Sequence, residues 1–196
     1  SMTDWLKKTL VHFAGMPMVQ LVVRIHPGER YTKGPSVGDV VRQVLPDLSE
    51  NIHLVAAEDP INTYDLVETA NLGLVYTTTT GLEMAMSGVP VIVSGQTHYR
   101  GKGFTFDPDS WDSFFKLIDE LILSGKNSQL TQEQVKQAWN YAYRFFFEYP
   151  CPFPWHLLHF WEEQKTKPMS YVLSEQGQSE YGDTFRYLVG EPRKYA

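Results

Sequence analysis

Three stretches of this sequence carry residue types suited to holding an anion: R-I-H-P-G-E at 24–29, T-T-T-T-G-L-E at 77–83 and S-G-Q-T-H-Y-R-G-K-G at 94–103. His26 stands just before the chain breaker Pro27-Gly28. An imidazole in that place either satisfies a nearby main-chain carbonyl or donates a charge-assisted hydrogen bond to a phosphate oxygen. Arg24 and Arg30 add positive potential around it, although Arg24 is equally suited to pairing with a carboxylate from within a strand. Four consecutive threonines make a poor helix interior, yet they precede a helical pattern that starts at Gly81. A helix start has unpaired N–H groups and positive partial charge, which attract phosphate, and the hydroxyls of Thr78, Thr79 and Thr80 would add donors. Gly81 permits close backbone approach. For Thr80 alone there is a simpler account, a T-x-x-E capping box with Glu83. Arg100 and Lys102 alternate with Gly101 and Gly103, which suits either a second anion contact or a solvated loop.

Other patterns have plainer explanations. Asp107-Pro-Asp109 imitates a metal-binding pair but precedes a helix start, where N-capping accounts for it. His156 and His159 are three residues apart with no third ligand in view, so they read as core or interface histidines and no metal site is expected. Phe145, Phe146, Phe147 and Trp155 read as packing residues. The single cysteine, Cys151, excludes an intramolecular disulfide and a multi-cysteine metal site, and a reducing, cytoplasmic setting is the default. A formal net charge of −6 argues against nucleic acid as a partner and leaves an anionic small molecule open if cations gather locally. No apolar run reaches the ~20 residues of a membrane span, and no signal-peptide pattern is present. Ser1-Met2 followed at once by a helical pattern reads as the start of a piece of a longer protein.

The elements that would position these residues alternate along the chain. Helical spacing over 3–15 is followed by strand formers at 19–25, a helix over 36–45 capped by Ser36, and a strand at 51–56. A helix at 63–70, a strand at 72–76, a helix at 81–87 and a strand at 89–93 complete the series. The strands are rich in Val, Ile and Leu and do not alternate, as in a parallel sheet covered on both faces. The pattern predicts a Rossmann-like α/β layer with helices on both sides. Ligands of such sheets bind beyond the carboxyl ends of the strands, where all three stretches fall. Beyond it, helices are expected at 110–124, at 131–148 with a capping box from Thr131 to Gln134, at 155–163 and around 180–189. The division expected is a Rossmann-like domain at 1–124 and a helical extension at 125–196, packed on that domain or on another.

L-E-M-A-M-S-G-V-P-V-I at 82–92 resembles the E-A-M-A-x-G-x-P-V-I stretch in the nucleotide-sugar half of GT-B glycosyltransferases. Joined with R-I-H-P-G-E, T-T-T-T-G-L-E and G-Q-T-H-Y-R-G-K-G-F at 95–104, it looks like the capsule polysaccharide biosynthesis glycosyltransferases, which carry an H-P motif and a Ser/Thr-rich stretch before G-x-E-A. The likeness covers about residues 2–124, with Met84 where alanine is usual. It implies that the domain at 1–124 is nucleotide-sugar-binding, the C-terminal, donor-binding half of a GT-B architecture, with final helices that cross back to the other half. By the same likeness His26 and Thr78 to Thr80 would hold the donor's phosphates and Glu83 would take ribose hydroxyls. The donor is a substrate linked to CMP, UDP or GDP, with CMP slightly ahead, and no separate cofactor is implied. The acidic catalytic residue is expected in an N-terminal, acceptor-binding domain outside this chain, so none is assigned here. The implied partners are the nucleotide-sugar donor, that domain and a glycan acceptor. Two other readings fit the sequence: half of a sugar-nucleotide 2-epimerase, and a Rossmann-like interaction module without chemistry.

Overall fold

Ser1 and Asp4 form a reciprocal capping box that starts helix α1 (Met2–Ala14), and its buried face is Leu6, Thr9, Leu10 and Phe13. This is the three-to-four-residue spacing of one helical stripe. In the computed structural model the described residues are 1–31 and 36–192. They belong to two units, Ser1–Ala142 and Tyr143–Ala196.

In the first unit α1 leads to β1 (Leu21–Arg24) and a tight turn at Pro27–Tyr31. Helix α2 (Val37–Val44) follows, with Ser36 and Asp39 forming the cap expected at Ser36. Then come β2 (Ile52–Val55), α3 (Thr63–Thr69), β3 (Gly73–Val75), α4 (Thr80–Met86) and β4 (Val91–Val93). Helix α5 (Trp111–Ser124) is capped by Ser110, and α6 (Gln132–Tyr143) opens on the expected Thr131–Gln134 box. The result is a mixed α/β fold with parallel strands.

The single four-stranded sheet read from the sequence is, in hydrogen-bonding terms, two parallel pairs. One pair is β1 with β2, registered from Leu21↔Ile52 to Arg24↔Val55. The other is β3 with β4, from Gly73↔Val91 to Val75↔Val93. Strands this short offer few ladder positions, and side-chain packing joins the pairs instead. Leu21 and Val23 of β1, Leu54 and Ile52 of β2, Leu74 of β3 and Ile92 of β4 share one apolar cluster with α1, α2 and α5.

Among the described residues the β3–β4 pair is covered on both faces. Val75, Val91 and Val93 point away from that cluster into a second one, built with Leu82, Met84 and Ala85 of α4 and Ala138 and Ala142 of α6. Met84, standing where the resemblance expects alanine, lies over Gly73, whose absent Cβ would come within 2.6 Å of its sulfur. In the β1–β2 pair, Val22 is 42% exposed and its partner His53 is also exposed. The expectation of two covered faces therefore fails at Val22 and His53, although Val55, on the same face as His53, is buried.

Asn51 fixes the direction of α1. Its buried side-chain amide donates to the carbonyls of Phe13, Met16 and Val19 at 2.9, 3.0 and 2.9 Å, tying the end of α1 to the amino ends of the strands. From Phe13 back to Trp5 the helix rises about 12 Å, close to the ~13 Å of a four-residue strand. Trp5 accordingly reaches the carboxyl edge, where its ring lies 5.7 Å from that of Tyr76.

The second unit holds α7 (Phe160–Thr166), α8 (Met169–Val172) and α9 (Glu175–Leu188). The helix expected over 131–148 ends at Tyr143 and gives way to a wider turn at Arg144–Glu148. The one expected over 155–163 is a tight turn at Leu157–His159 followed by α7. Helix α9 begins earlier than expected because Ser174 caps it. Gly177 lets α9 touch the preceding turn, since a Cβ there would lie 2.3 Å from the carbonyl oxygen of Tyr171. Phe146 and Phe147 are 48% and 75% exposed, contrary to the expectation that they pack, because the wide turn directs them outward. Residues 193–196 of the expected extension lie outside the described residues. Among the described residues no helix is long and apolar enough to cross a membrane.

Candidate functional site

The parallel pairing of β3 and β4 continues one step past the strands. Ser94 N donates to the carbonyl of Val75 at 2.9 Å, and Gly95 N to that of Tyr76 at 3.0 Å. Gly95 has no room for a side chain, because a Cβ would lie 2.4 Å from the Tyr76 carbonyl oxygen. The threonine tract and the 94–103 loop are thus laid against each other from their first residues.

Within the tract the residues alternate. Thr77 and Thr79 are exposed, whereas Thr78 and Thr80 are half-buried. The hydroxyl of Thr78 donates to that of Thr80 at 3.1 Å and accepts from Thr80 N at 3.3 Å. Helix α4 has Thr79 as its cap residue, with no side-chain capping bond. The Thr80–Glu83 capping box does not form, because Thr80 already lies inside the helix and Thr78 answers its N–H instead. Leu82 N and Glu83 N turn back to the Thr79 carbonyl at 2.9 and 3.4 Å. Glu83 is half-buried, and no described hydrogen bond or ion pair engages its carboxylate.

Tyr99 is wholly buried, and its phenol donates to the carbonyl of Thr78 at 2.5 Å. Gly81 lies directly over it. Burial pushes the phenol up to about 12; a hydrogen bond with the Thr97 side chain opposes this, and the nearby charges of Asp107 and Glu83 add to it. It is therefore a proton donor throughout the physiological range.

Arg100 is built into its own loop. Its guanidinium donates to the carbonyls of Val93 and Pro108, and to that of Gly95 at 3.4 Å. The carboxylate of Asp107 receives Gly101 N at 2.7 Å and the Thr105 hydroxyl at 2.9 Å. Asp107 therefore braces the loop, and the capping role expected for Asp107-Pro-Asp109 falls to Ser110, one residue on. Phe106 returns along the outer side of β4, with Val93 N donating to its carbonyl at 2.9 Å and its own N donating to Val91 at 2.8 Å. Lys102 stands exposed between Gly101 and Gly103, whose φ values of +74° and +90° put them in the left-handed region that favours glycine. His98 stacks on Tyr141 of α6 at 5.9 Å, and the Tyr141 hydroxyl donates to the His98 carbonyl at 2.6 Å. Burial holds the His98 imidazole below its usual value.

His26 follows β1 and is exposed. Its Nδ1 accepts from Gly28 N at 2.9 Å, so the neutral ring carries its proton on Nε2. The main-chain group anticipated beside it is an N–H and not a carbonyl. Arg24 donates to the carbonyls of Ala56 and, at 3.3 Å, Ile61, in place of the carboxylate anticipated for it. Arg30 turns to the Pro27 carbonyl at 3.1 Å. The placement of α1 puts the ends of β1 and β3 at one edge, but no described hydrogen bond or ring contact joins His26 to the threonines. Thr78, Thr80, Gly81 and the loop carrying Arg100 are brought together, and His26 shares their edge with no described bond to them.

Three buried polar atoms lie at this edge without a described partner: Trp5 Nε1, Arg24 Nε and Ser94 Oγ. Buried polar groups are nearly always paired, so three at one edge is unusual. All three can donate, which suits an acceptor-rich ligand. The sequence patterns give Trp5, Ser94 and Tyr99 no individual role. A buried tyrosine within a glycine-rich polar loop was the signal available. His156 and His159 are exposed, with rings 5.6 Å apart, and His156 caps the turn after it. Among the described residues no group of three or more His, Cys, Asp or Glu is placed to hold a metal ion.

Comparison with protein-family models matches residues 1–117 to the model described as capsule polysaccharide biosynthesis protein. The matched span runs from α1 into α5 and contains the whole of the edge just described. Comparison with curated proteins and with solved structures gives no match.

Proposed function

The chain belongs to the capsule polysaccharide biosynthesis protein family and has a role in capsule synthesis, and from that premise we propose that it is the donor-binding lobe of a glycosyltransferase. In this reading the first unit is a Rossmann-like half of a GT-B architecture, and its ligand is a sugar linked to CMP, UDP or GDP. The observation that carries it is the meeting of the threonine tract and the 94–103 loop at the carboxyl ends of adjacent parallel strands. The exposed hydroxyls of Thr77 and Thr79 and the N–H groups at the start of α4 face the phosphates, and Gly81 allows their close approach. Lys102 adds an exposed positive charge, while Arg100 contributes by holding the loop that carries it. His26 donates through Nε2 to a phosphate oxygen. Glu83 takes the ribose hydroxyls, in keeping with a carboxylate that no described residue engages.

Sugar transfer requires donor, acceptor and catalytic acid in a cleft from which water is largely excluded. It is therefore assigned to this lobe acting with an acceptor-binding lobe. The test is calorimetric titration of CMP, UDP and GDP into the unaltered chain and into His26→Ala. Loss of one charge-assisted hydrogen bond costs on the order of 1.5–3 kcal/mol, or about 10- to 150-fold in affinity. Equal affinities for the two proteins would remove His26 from the site, and absence of binding by the unaltered chain would remove the reading.

A further inference from the structure

Between the end of β3 and the start of α4 the backbone has to turn over the four threonines, which have weak helical preference of their own. At the centre of that turn the carbonyl of Thr78 points inward, and its partner comes from 21 residues further along the chain: the phenol of Tyr99. The neighbours of Tyr99 are firmly held. Arg100 clamps three carbonyls, Asp107 holds Gly101 and Thr105, and Phe104 is buried in the same cluster as the tyrosine ring. The bond from Tyr99 to Thr78 therefore ties the middle of the tract to the braced loop.

Gly81 reports how closely the two parts fit. A Cβ on Gly81 would lie 2.4 Å from the Tyr99 hydroxyl and 2.9 Å from a methyl of Val75. Gly81 has no unusual backbone conformation among the described glycines with positive φ, so its requirement is one of space.

Resting on the nucleotide reading above, we infer that Tyr99 is the positioning residue of the site: its phenol sets the threonine tract in the shape that receives the phosphates, and Gly81 is glycine so that the phenol fits. Tyr99 makes no contact with the ligand itself. Its ring belongs to the core, and its hydroxyl belongs to the site.

Tyr99→Phe separates the two roles, because it keeps the ring and removes only the donor. CMP, UDP and GDP are titrated into both proteins, amide exchange is followed along the chain, and melting is recorded. The expected result is a fall of about 5- to 20-fold in nucleotide affinity, faster exchange confined to 77–81, and β3 and β4 amides unchanged. Gly81→Ala is expected to lower affinity too, and by a smaller factor when added to Tyr99→Phe than when made alone, as for two groups in direct contact. Unchanged affinity together with unchanged exchange at 77–81 overturns the inference and leaves the nucleotide reading standing. Faster exchange spread across β3 and β4 also overturns it, since Tyr99 would then serve the core alone. If the unaltered chain binds none of the three nucleotides, the nucleotide reading fails and this inference fails with it.

Discussion

Arg100→Lys keeps the charge of the loop and removes its planar fork, which separates a structural clamp from a phosphate contact. In the folded protein the guanidinium serves the carbonyls of Val93, Gly95 and Pro108. Hydrogen bonds from charged groups contribute about 1.5–3 kcal/mol each. A lysine ammonium can keep one of the three carbonyls, and the Gly95 contact is already long at 3.4 Å. Because the residue is half-buried, water replaces part of what is lost, and the net cost is about 2–3 kcal/mol. For a cooperative unit of this size, 1 kcal/mol moves the melting temperature by roughly 3–4 °C, so the expected fall is about 6–12 °C. Thermal melting followed by circular dichroism measures it, with Lys102→Ala as the control. That residue is exposed, and its loss is expected to change stability by less than about 0.5 kcal/mol while weakening nucleotide binding. A melting temperature within about 2 °C of the unaltered protein in Arg100→Lys would refute the clamp, and a simultaneous loss of nucleotide affinity would reassign Arg100 to the ligand.

Two further outcomes follow from the same geometry. Asn51→Ala deprives the carbonyls of Phe13, Met16 and Val19 of their shared donor and is expected to cost about 2–4 kcal/mol, read as a lower urea midpoint; a change below about 0.5 kcal/mol would mean that water replaces the amide at no cost. His98 is exposed as a residue, but its ring is partly covered by Tyr99 and Tyr141, and this partial desolvation is expected to make it titrate below the ordinary histidine value of about 6.5. Its folded-state value is depressed, so the unfolded chain binds the proton more readily and stability falls as pH drops from about 6.5 through the folded value. An imidazole NMR titration checks this, and a midpoint at or above about 6.5 would contradict it.

The capping signals and the order of elements were legible because each depends on residues close in sequence. Ser36 with Asp39 and Thr131 with Gln134 form the boxes their spacing suggests. The same local rule failed at Thr80 and Glu83. There the helix cap is displaced by one residue to Thr79, and the Thr78 hydroxyl accepts the Thr80 N–H from outside the helix. Strand composition suggested burial on both faces, which holds for β3 and β4. Val22 and His53 show why composition was insufficient: covering a face requires another element to return over it, and these two residues stay exposed although their neighbours are strand formers.

By itself the sequence determined the α/β alternation, the family motifs and the arrival of three polar stretches at strand ends. Each of these is written in residues a few positions apart, where propensity, capping and periodicity act. Only the tertiary structure decided which polar groups are committed and which face outward. Arg100 and Lys102 are indistinguishable as cations in the sequence, yet one is enclosed by the carbonyls around its loop and the other stands exposed between two left-handed glycines. The bond from Tyr99 to Thr78 spans 21 residues and that from Asn51 to Phe13 spans 38. Neither partner carries a local signal of the other, because a hydrogen bond of that kind exists only after packing has brought the two segments together and excluded the water that would otherwise serve both.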